Sequence, residues 1–361
     1  MTTSALRDLV IRHPSQADQE PFLEVVDLSV HFPTDDGLVK SVDGLSFALD
    51  RGRTLGIVGE SGSGKSVTSL AIMGLHTRPA SEQTRPGAQL SGEIYLEGED
   101  LLAKSREYVR SLRGKRMAMI FQDPLSAMNP YYTVGHQIIE AYRIHNPVNK
   151  KLARKHAIDM LGRVGIPEPS QRIDAYPHQF SGGMRQRAMI AMALSCDPDL
   201  LIADEPTTAL DVTVQAQIVE LMKAIQAEFG TAIIAITHDL GVIAEIADEV
   251  LVMYAGRAME RGDRRTLYRQ PHHPYTKGLI EALPSQSGSK DRLVPIPGRP
   301  PSLIQLPTGC PFHPRCRYVM DRCRVEAPPL QKVAGGGGHV SACWLPPDRV
   351  GLDTPSARTA S

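Results

Sequence analysis

The chain has 361 residues, 42% of them hydrophobic and 22% charged, enough for a full core and for more than one average domain. Forty basic residues cancel forty acidic ones, so charge gives no reason to expect nucleic acid or bulk anionic lipid as a partner. No apolar stretch approaches the roughly eighteen residues that cross a bilayer, and the N-terminal stretch carries Pro14 and several charges without an apolar signal region, so the chain reads as a cytosolic protein and not as a pore.

Residues 1–21 read as a loose arm, after which FLEVVDLSVHF has the pattern of a strand. GRTLGIVG, from Gly52 to Gly59, is a short apolar run of strand type, and SVTSLAIMGL has helical apolar spacing. Between them Gly59 to Ser66 read GESGSGKS, which fits G-x-x-x-x-G-K-[ST]. In such a loop backbone N–H groups wrap a phosphate chain, the lysine reaches the outer phosphates and the hydroxyl meets Mg²⁺. A Gly-rich turn before a helix can be only a cap; the strand on one side and the helix on the other favour the phosphate loop. MIFQDP then places Gln122 at the end of another apolar run, and HQIIEAYRIH and KLARKHAIDMLGRVG read as helices.

In FSGGMRQR an SGG turn runs into the helical segment RQRAMIAMAL, presenting free N–H groups that suit anionic oxygens. LLIAD, from Leu200 to Asp204, is a buried-strand run ending in adjacent carboxylates and Pro206. Paired acids at a strand end can be simply a solvated turn; a carboxylate there is also where phosphate-binding ATPases hold Mg²⁺, which suits Asp204 and leaves Glu205 to face the attacking water. Asp211 reads as the N-cap of the helix VTVQAQIVELMKAIQAEF, and the strand-like TAIIAIT leads to His238.

Together the phosphate loop, the SGG signature and the paired acids resemble the ATP-binding subunit of ABC transporters. The resemblance implies an α/β fold: a P-loop NTPase cassette over residues 22–270, with a RecA-like core, an antiparallel β edge and an inserted helical subdomain at about 123–196. It implies that ATP is held by Gly59, Glu60, Ser61, Gly62, Ser63, Gly64, Lys65, Ser66 and Val67. Phe32 would stack on adenine, at a place where Tyr is more usual and where a core or edge-strand Phe is a rival reading. Mg²⁺ falls to Ser66, Gln122 and Asp204. The catalytic set is Lys65, Gln122, which senses Mg²⁺ and water, Glu205 as general base and His238 on the γ-phosphate. Ser181, Gly182, Gly183 and Met184 would face the γ-phosphate held by a second ATPase subunit, and Ala209, Leu210 and Asp211 would cross between the two. Further implied partners are two transmembrane permease subunits and an extracytoplasmic solute-binding protein, with the chain peripheral on the cytoplasmic face of the inner membrane. DPLSAMNPYYTVG would wall the permease groove, although its Tyr131 and Tyr132 could equally pack inside. Repair and ribosome-acting ABC ATPases carry long coiled coils or a second cassette, and neither is visible here.

The last ninety or so residues hold four of the five cysteines, Cys310, Cys316, Cys323 and Cys343, while Cys196 reads as a buried small hydrophobe. Disulfides are disfavoured in a reducing compartment. Zinc favours close pairs such as C-x₂₋₄-C, which are absent, whereas an iron–sulfur cluster needs four thiolates without one universal spacing. The Pro-rich and Gly-rich setting, Gly335 to Gly338 included, offers little apolar content, so a metal would help it fold. These arguments leave iron–sulfur and zinc both open.

HPYTKGL, IPGRPPSL and CPFHPRC resemble the C-terminal extension of the oligopeptide and dipeptide importer ATPases, as does FSGGMRQR with Met184 where most ABC proteins carry Gln. The resemblance implies a small Cys-rich extension over 271–346 and a flexible tail over 347–361. It also implies a [4Fe–4S] cluster on Cys310, Cys316, Cys323 and Cys343, with zinc as the alternative; His272, His273, His313 and His339 lie nearby and are not taken as ligands. The implied solute is a dipeptide or oligopeptide, in a branch shared with nickel, glutathione and antimicrobial-peptide importers.

Overall fold

Strands β1 (Leu23–Thr34), β2 (Gly37–Leu49), β3 (Thr54–Val58), β4 (Gln89–Leu96), β5 (Glu99–Asp100) and β6 (Met117–Ile120) precede the helical region; β7 (Leu200–Asp204), β8 (Ala232–Ile236), β9 (Glu249–Tyr254), β10 (Arg257–Asp263), β11 (Gln331–Lys332) and β12 (Val340–Ser341) follow it. The helices, in order, are α1 (Lys65–Ile72), α2 (Arg106–Leu112), α3 (Pro124–Ala127), α4 (Val134–His145), α5 (Lys150–Arg163), α6 (Pro169–Arg172), α7 (Gly182–Ala193), α8 (Val212–Phe229), α9 (Leu240–Ile246), α10 (Arg264–Arg269), α11 (Pro274–Glu281) and α12 (Asp321–Val325). The structure, a computed structural model, describes residues 20–76, 87–208, 210–283, 295–333 and 338–346. Nearly all of the expected arm, the tail 347–361, Ala209 and most of the Gly335–Gly338 run lie outside the described residues. Among the described residues no helix is long and apolar enough to cross a membrane.

Two sheets form. The smaller is antiparallel, in the order β2-β1-β4-β5; the larger runs β11-β12-β10-β9-β3-β8-β7-β6, parallel from β6 to β9 and antiparallel beyond. The parallel strands are apolar at nearly every position because both faces of the sheet are covered. Their pleat divides the core: Leu55, Ile57, Leu200, Ile202, Ile234, Ile236, Leu251 and Met253 face the layer made with α1 and the small sheet, while Val58, Leu201, Ala203, Ile233, Ala235, Val250 and Val252 face the helical layer. Gly56 has a packing reason, since a Cβ there would lie 2.6 Å from Cγ2 of Ile243 on α9.

On the helical side α4, α5 and α7 pack on one another, each started by a side-chain cap from Thr133, Asn149 or Ser181. The segment beyond α10 returns to the cassette. β12 adds to the edge of the large sheet by pairing with β10, and the Lys40 N–H on β2 donates to the Leu303 carbonyl at 3.0 Å. Beneath this edge Glu260 is fully buried, and it accepts from the N–H groups of His272 (2.6 Å) and His273 (3.0 Å) and pairs with His339 Nε2 (2.7 Å). A buried carboxylate would otherwise be costly; here its lone pairs are occupied.

Candidate nucleotide site

The loop between β3 and α1 can be made only with glycine at two points. Gly59 has φ +155° and a Cβ there would sit 2.2 Å from the Met253 carbonyl; Gly64 has φ +101° and a Cβ there would sit 2.3 Å from the Ser41 carbonyl. Gly62 faces open space. Lys65 opens α1 and folds its Nζ back onto the carbonyls of Gly59 (2.8 Å) and Glu60 (2.9 Å), with Ser63 Oγ at 3.5 Å. Burial pushes the Lys65 pKa down, against the opposing charges of Glu205, Asp204 and Glu60. Ser61 is exposed, and Val67 packs one flank against the core of α1.

Ser66 Oγ donates to Asp204 Oδ1 at 3.0 Å, joining the start of α1 to the tip of β7. Burial raises the Asp204 pKa, an effect that the Ser66 hydrogen bond partly offsets. The hydroxyl–carboxylate pair is an oxygen donor set of the kind Mg²⁺ takes. The adjoining Glu205 has φ +48°, a left-handed conformation that costs a residue with a Cβ about 1–2 kcal/mol. Its N–H donates to the Ile236 carbonyl on the neighbouring strand at 2.7 Å, which holds that turn.

Three side chains converge on the Glu205 carboxylate. Oε2 accepts from Gln122 Nε2 at 3.0 Å and from Thr208 Oγ1 at 2.8 Å; Oε1 lies 3.3 Å from His238 Nδ1. The loops after β6, β7 and β8 thus meet at one acid, which brings Gln122, Glu205 and His238 together. Thr208 was not among the expected residues. The only signal was its place three positions beyond Glu205, shared by nothing that separates it from the buried Thr207.

The signature residues take no part in these hydrogen bonds. Ser181 caps α7 by accepting from the Met184 N–H at 3.3 Å, Gly182 is exposed, and Gly183 lies against Val214 of α8, where a Cβ would come within 2.9 Å. Among the described residues no hydrogen bond joins Ser181–Met184 to Gly59–Ser66. Asp211 caps α8 through the Val214 N–H at 2.9 Å, as expected. Phe32 is half-buried and edge-on to His76, with ring centroids 5.4 Å apart. Tyr131 is 86% exposed and Tyr132 49%, which removes the reading in which they pack inside. Cys196 is only half-buried, with Asn146 Nδ2 and the Ala141 carbonyl each 3.7 Å from its sulfur, so it is not a simple hydrophobe.

Cys310, Cys316, Cys323 and Cys343 line one cavity of about 20 Å³, together with Phe312, Met320 and Trp344. Burial pushes the Cys310 thiol up to about 11 and the Cys343 thiol up to about 12. Among the described residues no three His, Cys, Asp or Glu side chains form a group that could hold a metal ion. The four cysteines expected as donors thus share one cavity without forming such a group.

The sequence of residues 42–208 matches the family model "ABC transporter", and 259–323 match "Oligopeptide/dipeptide transporter, C-terminal region". The chain is 49% identical to the dipeptide transport ATP-binding protein DppD of Escherichia coli (strain K12), over 92% of this chain and 99% of that one. It is 50% identical to the oligopeptide transport ATP-binding protein OppD of Salmonella typhimurium (strain LT2), over 90% and 93%. Among solved structures it resembles cbiO1 of Clostridium perfringens, part of an ABC transporter complex, with TM-score 0.57 and 26% identity over 70% of this chain and 92% of that one. It also shares the fold of a dimeric bacterial ABC transporter cassette, MJ0796, with TM-score 0.59 and 23% identity over 67% and 99%. With its phosphate loop, paired acids and C-terminal region in this order, the chain belongs to the ATP-binding proteins of ABC transporters, in the branch of the dipeptide and oligopeptide transport subunits.

Proposed function

We propose that this protein hydrolyses ATP to energise import of dipeptides or oligopeptides. The observation that carries the reading is the convergence of Gln122, Thr208 and His238 on Glu205, beside the Ser66–Asp204 pair and Lys65. The loop amides and Lys65 would bind the phosphates, and Lys65 already lies on carbonyls that phosphate oxygens can replace. Ser66 and Asp204, with Gln122 beside them, would hold Mg²⁺, which neutralises charge on the transferring phosphoryl group. Glu205 would take the proton of the attacking water, held in place by Gln122 and Thr208, while His238 would face the γ-phosphate. The solute reading draws on the relatives named for dipeptide and oligopeptide transport and on the match over 259–323.

Ser181–Met184 make no hydrogen bond to their own chain's phosphate loop, which supports a site completed by a second ATPase subunit; Asp211 and Leu210 would lie at that contact. The exposed Tyr131 and Tyr132 support a membrane-subunit face on the helical region, with two permease subunits and an extracytoplasmic binding protein completing the importer. Phe32 is half-buried on β1, between β2 and β4, and would stack on adenine. The cassette would occupy residues 22–270 and the extension 271–346. Four sulfurs on one cavity support a [4Fe–4S] cluster, or zinc, which would take the cysteines as thiolates. Uptake of labelled di- and tetrapeptides by cells whose only copy carries Lys65→Ala tests the reading. Loss of uptake of either is expected; unchanged uptake of both, with the variant expressed, would remove peptides as the solute.

A further inference from the structure

The extension reaches into the phosphate loop. Arg315, between Cys310 and Cys316 in sequence, extends its guanidinium to Glu60, the second residue of that loop: Nη1 donates to Oε2 at 2.6 Å and Nη2 to Oε1 at 2.9 Å. The other N–H groups are also taken, Nε by the Pro297 carbonyl (2.8 Å), Nη1 by the Tyr254 hydroxyl (3.2 Å) and Nη2 by the Ile296 carbonyl (3.5 Å). Five donors meet five acceptors, and the side chain is 5% exposed. This guanidinium is fixed, and it has no donor left for a ligand of its own.

The main chain of Glu60 is held from the same side. Its N–H donates to the Tyr275 hydroxyl at 2.8 Å, and Tyr275 is fully buried against Tyr254 and Phe312, with ring centroids 4.7 and 5.3 Å away. Both handles of one phosphate-loop residue therefore belong to residues beyond β8. A carboxylate in a loop built to receive polyphosphate repels its ligand unless neutralised, and Glu60 is close enough to act on the charge of Lys65. A bidentate guanidinium both cancels that charge and turns it toward the extension.

We infer that Arg315 is a positioning residue of the nucleotide site, which neutralises Glu60 and fixes the phosphate loop, so that the C-terminal extension is part of the ATP-binding apparatus. The inference rests on the ATPase reading above. Its test is the affinity of the purified full-length chain for a fluorescent ATP analogue with Mg²⁺, in Arg315→Gln, Arg315→Lys, Glu60→Gln/Arg315→Gln and Lys65→Ala. Arg315→Gln should weaken binding about tenfold, the scale of one lost charge-pair interaction, and Arg315→Lys should recover part of it. Adding Glu60→Gln to Arg315→Gln should tighten binding again, because the unpaired carboxylate is gone. A purely structural role predicts that the double variant binds no better than Arg315→Gln, and that result, or wild-type affinity in Arg315→Gln, would overturn the inference. Should Arg315→Gln not fold, the same comparison is made with Arg315→Lys alone and with Glu60→Gln: weakening relieved by Glu60→Gln supports the inference, and no weakening overturns it. Undiminished binding by Lys65→Ala would instead remove the ATP-site reading itself, so the two failures are distinct.

Discussion

The Glu205 carboxylate is shared among three partners, and the residue sits in a backbone conformation that favours glycine. Holding a carboxylate there at a cost in backbone energy makes sense if its position matters more than local stability. Glu205→Gln keeps the shape but cannot accept a proton. Hydrolysis should fall about 10²–10⁴-fold while ATP stays bound, read by phosphate release and by nucleotide retained on the protein. Thr208→Ala leaves the acid in place and removes one of two donors on Oε2; a loss of about tenfold in turnover with unchanged ATP affinity is expected from one such hydrogen bond. Unaltered turnover in that variant would show that Gln122 alone suffices. Glycines, lysine and the acid pair were legible in the sequence because they form contiguous strings whose neighbours have strand and helix patterns. Thr208 was not, since a second threonine adjoins it, and Arg315 was not, since its partner lies 255 residues away.

Among the elements, the phosphate loop is held between β3 and the carbonyl of Met253 on β9. Gly59→Ala places a methyl group at 2.2 Å from that carbonyl in a conformation costing about 1–3 kcal/mol, so the loop must move. A lower melting temperature and weakened nucleotide binding together are expected; retention of both would contradict the described loop. A second junction ties the small sheet to the large one. Glu97, in the β4–β5 turn, pairs with Arg51 and Arg116, which also hold Asp199 before β7. Hydrogen bonds from Arg51 and Arg116 hold the Glu97 carboxyl below its usual 4.5. A depressed carboxylate pKa contributes stability that is present above the unfolded value and lost as pH falls through the folded one. Glu97→Gln should therefore cost at most about 1 kcal/mol at pH 7, because the group is partly solvent-screened, and the difference from the wild type should close as pH drops below about 4.5. Thermal melts of both proteins across that range check the sign. The strands and long helices were readable from periodicity, whereas this four-residue ion network joins charges that look like ordinary surface residues along the chain.

At the scale of the whole molecule, the extension is an added edge of the main sheet and a clamp on the nucleotide loop, joined through β12, Leu303 and Arg315. The cysteine clustering was visible in the sequence; that the four thiols would surround a cavity of about 20 Å³ walled by Phe312 and Trp344 was not, because two-residue strands and proline-rich turns carry no periodic signal. Cys316→Ser should lower the iron or zinc content of the purified chain while ATP binding by the cassette persists; level metal content in the variant and the wild type would leave the four thiols as packing groups. ATP hydrolysis at Glu205 would be the driving step of peptide import. Its most direct test is the assembled transporter in proteoliposomes, with ATP hydrolysis and uptake of a labelled peptide measured in the same vesicles for the wild type and Glu205→Gln. Loss of both activities together, with ATP still bound, is the predicted result, and continued peptide uptake by the variant would contradict it.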